Sequence, residues 1–220
     1  LVVPNKAALS NQGPFDKTGV MGDNHQKARL ILASKSPRRR DLLRRAGIAF
    51  DVVPSRFDES SVTMMDDPVR YVGTLSRSKT LEVAAANPDR WVIGADTIVW
   101  SNAQVLGKPK DDQSARDMLS RLSGRTHQVY TGFTISCLSR CKEFTDVVCT
   151  EVSFKTLASF EIDWYIHTGE PFDKAGAYAI QGAGAFLVKR INGSYTNVVG
   201  LPVCELIERL IKEGALQWSI

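Results

Sequence analysis

The chain has 220 residues, 43% of them hydrophobic and 24% charged, with a formal net charge of +4. That is enough chain for one large domain or two small lobes with a substantial core, in the composition of an ordinary globular protein. The small positive balance suits small anionic ligands and excludes the clustered basic stripes of a nucleic-acid surface, and no apolar run approaches the roughly 20 residues of a membrane span.

Residues 1–28 are rich in Asn and Gly with little apolar periodicity, and they read as a flexible tail outside the folded part. No basic segment followed by a long apolar one marks a signal peptide there. Leu30 to Ala33 has the length of a buried strand. Ser36 and Pro37 then read as an N-cap and first helical residue, with Leu42, Leu43 and Ala46 on the apolar side and Gly47 as the C-terminal stop. A strand thus delivers a loop containing Ser34 and Ser36 to a helix N-terminus, whose free backbone N–H groups attract phosphate. Arg38, Arg39 and Arg40 sit at the helix end where cations are unfavourable, and a bound anion would remove that conflict; the other reading is three solvated arginines. No Walker A loop occurs anywhere in the chain.

Phe50 to Val53 reads as a second strand, and Phe57, Asp58 and Glu59 as an acidic loop. Asp66 or Asp67 caps a helix from Pro68 to about Ala86, with an apolar stripe of Val69, Val72, Leu75 and Val83. Lys79 falls inside that stripe, either laying its stem along the core or aiming its ammonium into an anionic cleft. Trp91 to Trp100 is a core strand with one carboxylate, Asp96, at its middle. An ionised carboxylate buried there costs several kcal/mol unless it has a partner or a metal, so Asp96 is a candidate for chemistry. A hairpin turn at Ser101 to Gln104 would return Lys108 toward it.

Asp111 or Asp112 caps a third helix through Ala115, Met118, Leu119 and Leu122. Two strands follow, near His127 to Leu138 and Glu143 to Phe154; the first alternates through Val129, Thr131, Phe133, Ile135 and Cys137 as a half-buried strand does. Ser159 opens a helix ending at Gly169. Asp173 to Gly184 is rich in small residues, which let backbone approach a ligand or another strand closely. Phe186 to Ile191 is a strand, Asn192-Gly193 a turn, and Pro202 starts a last amphipathic helix. The four cysteines contain no Cys-x2-Cys pair, so zinc is not expected. Three of them lie in or beside strand-like segments as small buried apolar groups, which fits a reducing intracellular compartment. His127 and His167 read as structural.

Three stretches taken together carry a resemblance: Ser34-Lys35-Ser36-Pro37-Arg38-Arg39, Gly94-Ala95-Asp96-Thr97-Ile98-Val99, and Asp173-Lys174-Ala175-Gly176-Ala177-Tyr178 followed by Ile180-Gln181-Gly182. In this order they resemble the Maf family, the septum-formation-inhibitor-like nucleoside triphosphate pyrophosphatases. Gly107-Lys108-Pro109, Leu122-Ser123-Gly124, Gly169-Glu170-Pro171 and Asn197-Val198-Val199-Gly200-Leu201-Pro202 match as well. The resemblance implies a single domain over 29–220, with a mixed-sheet α/β fold of the inosine-triphosphatase-like (Maf/Ham1) type, two lobes around a central cleft, and a cytoplasmic homodimer. It implies hydrolysis of a nucleoside triphosphate to monophosphate and pyrophosphate with Mg²⁺ or Mn²⁺. Asp96 matches the family's catalytic aspartate, and Glu59, Lys79 and Lys108 match its charged cleft residues. On that footing Asp96 and Glu59 are expected to hold the metal, and Ser34, Ser36, Arg38, Arg39, Lys79, Thr97, Lys108, Lys174 and Gln181 to bind the substrate. Arg38, Thr97 and Gln181 fit the subgroup acting on dTTP and UTP. Ala179 departs from the glycine usual in bacterial members. The family's name leaves a non-catalytic, nucleotide-sensing regulator of cell division as the alternative.

Overall fold

The structure is a computed structural model that describes residues 30–63 and 65–218; the expected tail at 1–28 lies outside them. Its strands and helices, in chain order, are β1 Leu30–Leu32, α1 Pro37–Arg45, β2 Asp51–Val52, α2 Pro68–Ala85, β3 Trp91–Ser101, β4 Gln104–Leu106 and α3 Asp112–Leu122. These are followed by β5 Thr126–Cys137, β6 Lys142–Phe154, α4 Ser159–His167, β7 Val188–Asn192, α5 Tyr195–Val199 and α6 Val203–Lys212. Seven strands make one mixed sheet in the order β2-β1-β3-β5-β6-β7, with β4 added to β3. The expected mixed-sheet α/β class is observed.

One edge of β3 positions the site. Along its other edge, β5 pairs with it continuously from Val92 to Trp100. On the open edge, β1 runs parallel to Trp91–Ile93 and β4 runs antiparallel to Val99–Ser101. The sheet therefore forks, and Gly94 to Ile98 lie in the fork with no strand beside them on that edge. Two apolar cores flank it. One gathers Leu32, Leu43, Ile93, Ile135, Leu201 and Leu206; the other gathers Val99, Leu119, Val129, Tyr165 and Leu187. β3 gives Ile93 and Ala95 to the first core and Val99 to the second, so the fork lies where the strand passes from one to the other.

The caps form as their side chains dictate. Ser36 accepts from Arg39 N, Asp67 from Val69 N and Arg70 N, and Asp111 from Ser114 N, each satisfying an orphan donor of the first turn. Asn102 and Ala103, both at positive φ, close the β3–β4 hairpin.

Several expectations change. Val69 is 47% exposed and does not belong to the buried stripe of α2, whose inner face is Val72, Gly73, Leu75, Ser76, Thr80, Val83 and Ala84. This face is small and hydroxylated because α2 lies unusually close to the sheet. A Cβ on Gly132 would stand 2.6 Å from the Val72 carbonyl oxygen, and Ser76, Thr134 and Thr145 link their hydroxyls at 2.9–3.0 Å between helix and strands. For the same reason β5 is buried on both faces from Thr131 to Cys137 rather than on one. The strand expected from Phe186 begins at Val188, since 182–187 wind into a short helical turn, and Tyr195–Val199 adds the short helix α5 to the expected elements. Only Cys137 is buried; Cys141, Cys149 and Cys204 are exposed, on the polar ends and outer positions of their elements. No described helix is long and apolar enough to cross a membrane.

Candidate active site

A cleft of ≈ 720 Å³ opens at the fork. Its lining includes Ser34, Ser36, Arg38, Arg39, Glu59, Lys79, Asp96, Thr97, Lys108 and Lys174, so β1, α1, α2, β3, the β4 end and the segment after α4 all converge on it. Gln181 is the one expected substrate-binding residue that is not part of this lining, although its neighbour Ile180 is.

Lys79 resolves the ambiguity of its position on α2. Its ammonium leaves the helix face for the cleft and hydrogen-bonds Asp96 Oδ1, with Glu59 Oε1 2.8 Å away. The Lys79 and Asp96 side chains keep only 11% and 12% of their surface exposed. A charge so withdrawn from water is tolerated only in company, which is why the two occur together. Burial opposes ionisation of Glu59, but the hydrogen bond and charge of Lys79, with the fields of Lys108 and Arg39, outweigh it and hold the carboxyl below the usual range. Tyr71, also lining the cleft, has its phenol pushed up by burial and by the Asp96 and Glu59 charges, so it stands there as a neutral hydroxyl.

Of the arginines at the start of α1, Arg38 and Arg39 find partners within the protein, while Arg40 Nε is buried without a hydrogen bond. Arg39 donates Nε to Gly200 O at 2.7 Å, Nη1 to Ala95 O at 2.7 Å and Ser34 Oγ at 3.3 Å, and Nη2 to Thr97 Oγ1 at 3.1 Å. A guanidinium has five N–H donors, and most of these are committed to holding the fork together. The Ala95 carbonyl it caps is one that the missing strand would otherwise have paired. Burial lowers the Arg39 pKa from its ordinary value, with the Asp96 charge opposing. Arg38 reaches across the cleft to Asp173 Oδ2 at 3.2 Å, and Asp173 also pairs with Lys174. Arg38 and Arg39 thus offset part of their conflict with the helix dipole through protein partners. Thr97 likewise serves the floor, exchanging a 2.9 Å hydrogen bond with Thr131.

Gly176 and Gly182 in 173–184 let other parts of the protein approach closely. A Cβ on Gly176 would stand 3.0 Å from Val99 of β3, and one on Gly182 2.5 Å from Glu170 Oε2. Ala179 is tolerated because the positive φ angles of this segment fall at Gly176, Ala177 and Gly182. Tyr178 lines the cleft while its hydroxyl meets buried His127 Nε2 at 2.7 Å, and burial drives the His127 pKa down to about 4. His127 therefore acts as a neutral partner behind the cleft wall, a contact for which its sequence neighbours gave no signal.

Among the described residues no group of three or more His, Cys, Asp or Glu side chains gathers as a metal site, so a divalent cation here would rest on two carboxylates. Lys79 takes one oxygen from each of Asp96 and Glu59, which leaves Asp96 Oδ2 and Glu59 Oε2 for a hard ion. Mg²⁺ and its like are commonly held by one or two carboxylates and completed by water and substrate phosphate.

Comparison with known proteins shows the family. The family model described as Maf-like protein matches residues 29–213. A protein of Syntrophus aciditrophicus named dTTP/UTP pyrophosphatase is 49% identical over 191 residues, covering 87% of this chain and 93% of its own length. One of Syntrophotalea carbinolica with the same name is 52% identical over 191 residues, covering 86% of each. One of Geobacter sulfurreducens, again so named, is 47% identical and covered over 100% of its length.

Proposed function

The chain belongs to the Maf family, and from that premise and the cleft we propose that it hydrolyses dTTP and UTP to the monophosphate and pyrophosphate. The observation that carries the reading is Asp96, a mid-strand carboxylate held at the open fork and flanked by Glu59, Lys79 and Lys108. Phosphoryl transfer asks chiefly for positioning and for neutralisation of spread negative charge. Lys79, Lys108 and Lys174, with the hydroxyls of Ser34 and Ser36 at the α1 N-terminus, supply that neutralisation to the triphosphate. Arg38 joins them when the incoming phosphates compete for it with Asp173.

Asp96 receives the proton of a water that attacks the α-phosphorus. The α–β anhydride bond breaks, and pyrophosphate leaves with the electron pair. Asp96 and Glu59 would hold Mg²⁺ or Mn²⁺ through their free oxygens, and the bound ion would supply Lewis acidity toward the phosphate oxygens. Arg39 contributes mainly by fixing Ser34, Ala95, Thr97 and Gly200 in register, with little of its hydrogen-bonding capacity left for substrate.

The apolar part of the cleft, including Ile98, Val99, Leu106, Tyr178, Ile180 and Val198, accepts the base. Arg38, Thr97 and Gln181 belong to the pyrimidine set, and a Gln181 amide offers both donor and acceptor to the O4 and N3–H edge of uracil or thymine. That contact requires the Gln181 side chain to turn inward beside Ile180. The same reading takes the protein as a cytoplasmic homodimer acting on free nucleotides, which sedimentation would check. Specificity constants across dTTP, UTP, dATP, dGTP and 7-methyl-GTP, with pyrophosphate as the detected product, test the assignment. We expect dTTP and UTP to lead, and release of orthophosphate instead of pyrophosphate would refute it.

A further inference from the structure

Between α4 and β7 the chain winds through three short helical turns, with neither strand nor long helix to order it. Its order comes from one half-buried carboxylate. Glu170 Oε2 accepts from Ala183 N at 2.9 Å, while Oε1 accepts from Gly184 N at 3.0 Å and from the Tyr165 hydroxyl at 2.9 Å. That hydroxyl accepts in turn from Ala179 N at 3.1 Å, and Lys174 Nζ donates to the Glu170 carbonyl at 2.8 Å. Charge-assisted bonds of this kind are roughly twice as strong as neutral ones. Tyr165 is fully buried, and burial together with the Glu170 carboxylate pushes its phenol up, so it remains a donor.

Gly182 and Gly184 leave room for this network. A Cβ on Gly184 would meet Ala179 O at 2.5 Å and the Tyr165 hydroxyl at 2.6 Å, and one on Gly182 would meet the carboxylate itself. Glu170 does not line the cleft, but the segment it ties down supplies Asp173, Lys174, Ala175, Tyr178 and Ile180 to it.

We infer that Glu170 is a positioning residue for nucleoside recognition, which fixes Ala175, Tyr178 and Ile180 as the wall for base and sugar without touching the phosphates. The inference rests on the proposed pyrophosphatase reading. It predicts a split between the two ends of the substrate. Glu170→Gln keeps the size but loses the charge and turns an N–H₂ group toward backbone N–H donors. Its KM for dTTP should rise about tenfold with kcat within about threefold of wild type, the signature of lost binding in ground and transition state alike. Inhibition by inorganic tripolyphosphate, which has only the phosphate end and meets this segment only through Lys174, should weaken by no more than about twofold. Amide exchange should accelerate at Ala179, Ala183 and Gly184 and not in β3 or β5.

Tyr165→Phe removes one donor and leaves the carboxylate in place, so it should move KM in the same direction by a smaller factor, and it serves if the Gln variant does not fold. An unchanged KM in a folded variant, or an equal weakening of tripolyphosphate, overturns the inference. Wild-type protein that releases no pyrophosphate from dTTP or UTP would mark failure of the functional reading instead. The nucleoside assignment would then fall with it, while the exchange pattern would still decide whether Glu170 holds the segment.

Discussion

The two ends of the cleft are built on opposite principles. The charged end stands on regular elements: Asp96 is paired into the sheet through β5, and Lys79 is carried by an eighteen-residue helix pressed against the same strands. The apolar end adds to Ile98, Val99 and Leu106 of the sheet the irregular segment 170–187, which also carries Asp173 and Lys174 toward the charged end and which a carboxylate, a phenol and glycines hold in place. Reacting groups tolerate little displacement, since misplacement of about 1 Å can cost a hundredfold, and rigid backbone suits them. A wall for a base needs shape more than atomic registry. Hydrogen bonds to a loop suffice for it.

The charged end should therefore fail in catalysis and the apolar end in binding and acid tolerance. Asp96→Asn is nearly isosteric and should lower kcat by about a hundredfold or more, within the usual range for a general base. Turnover near wild type at saturating metal would remove Asp96 from the mechanism. Gly132→Ala should cost about 2 kcal/mol by denaturant unfolding, because the added methyl meets Val72 backbone that cannot rotate away. It should also lower kcat, as α2 carries Lys79; loss of stability with unchanged kcat would show that the close packing does not set the ammonium.

The apolar end should feel acid first. The His127 pKa lies at about 4 in the fold against an ordinary 6.5, so between those values the unfolded chain binds more protons and stability falls as pH falls. This contribution is fully present above pH 6.5, and its loss should reach about 2 kcal/mol by pH 5. Denaturant midpoints for His127→Phe should lack that slope. At the charged end, Glu59 and Asp173 are held below the usual carboxylate range and keep their charge through the same window. Lys79→Met should lower kcat/KM by about tenfold, the worth of a charge-assisted hydrogen bond. It should also move the acid limb of the pH profile upward, because the cation that favours the ionised Glu59 carboxylate is gone. A stable variant with wild-type kinetics would mean that the ammonium does not reach phosphate.

Local pattern settled much of this protein before any tertiary contact was known. Ser36, Asp67 and Asp111 cap their own helices, Asn102 and Ala103 turn the hairpin, and a carboxylate in the middle of an apolar strand marked Asp96, because each of these is decided by groups a few residues apart. Motif order further pointed to the family. The sequence could not decide where β3 loses its neighbour on one edge, that Arg39 would cap the exposed Ala95 carbonyl there, or that Val69 would face water while Ser76 and Thr80 are buried. Nor could it pair Glu170 with Ala183 and Gly184, or His127 with Tyr178 across 51 positions. Those contacts join residues far apart in the chain. Which polar groups meet there is fixed only when sheet register and close helix packing bring them within hydrogen-bond reach and leave them no water to bind instead.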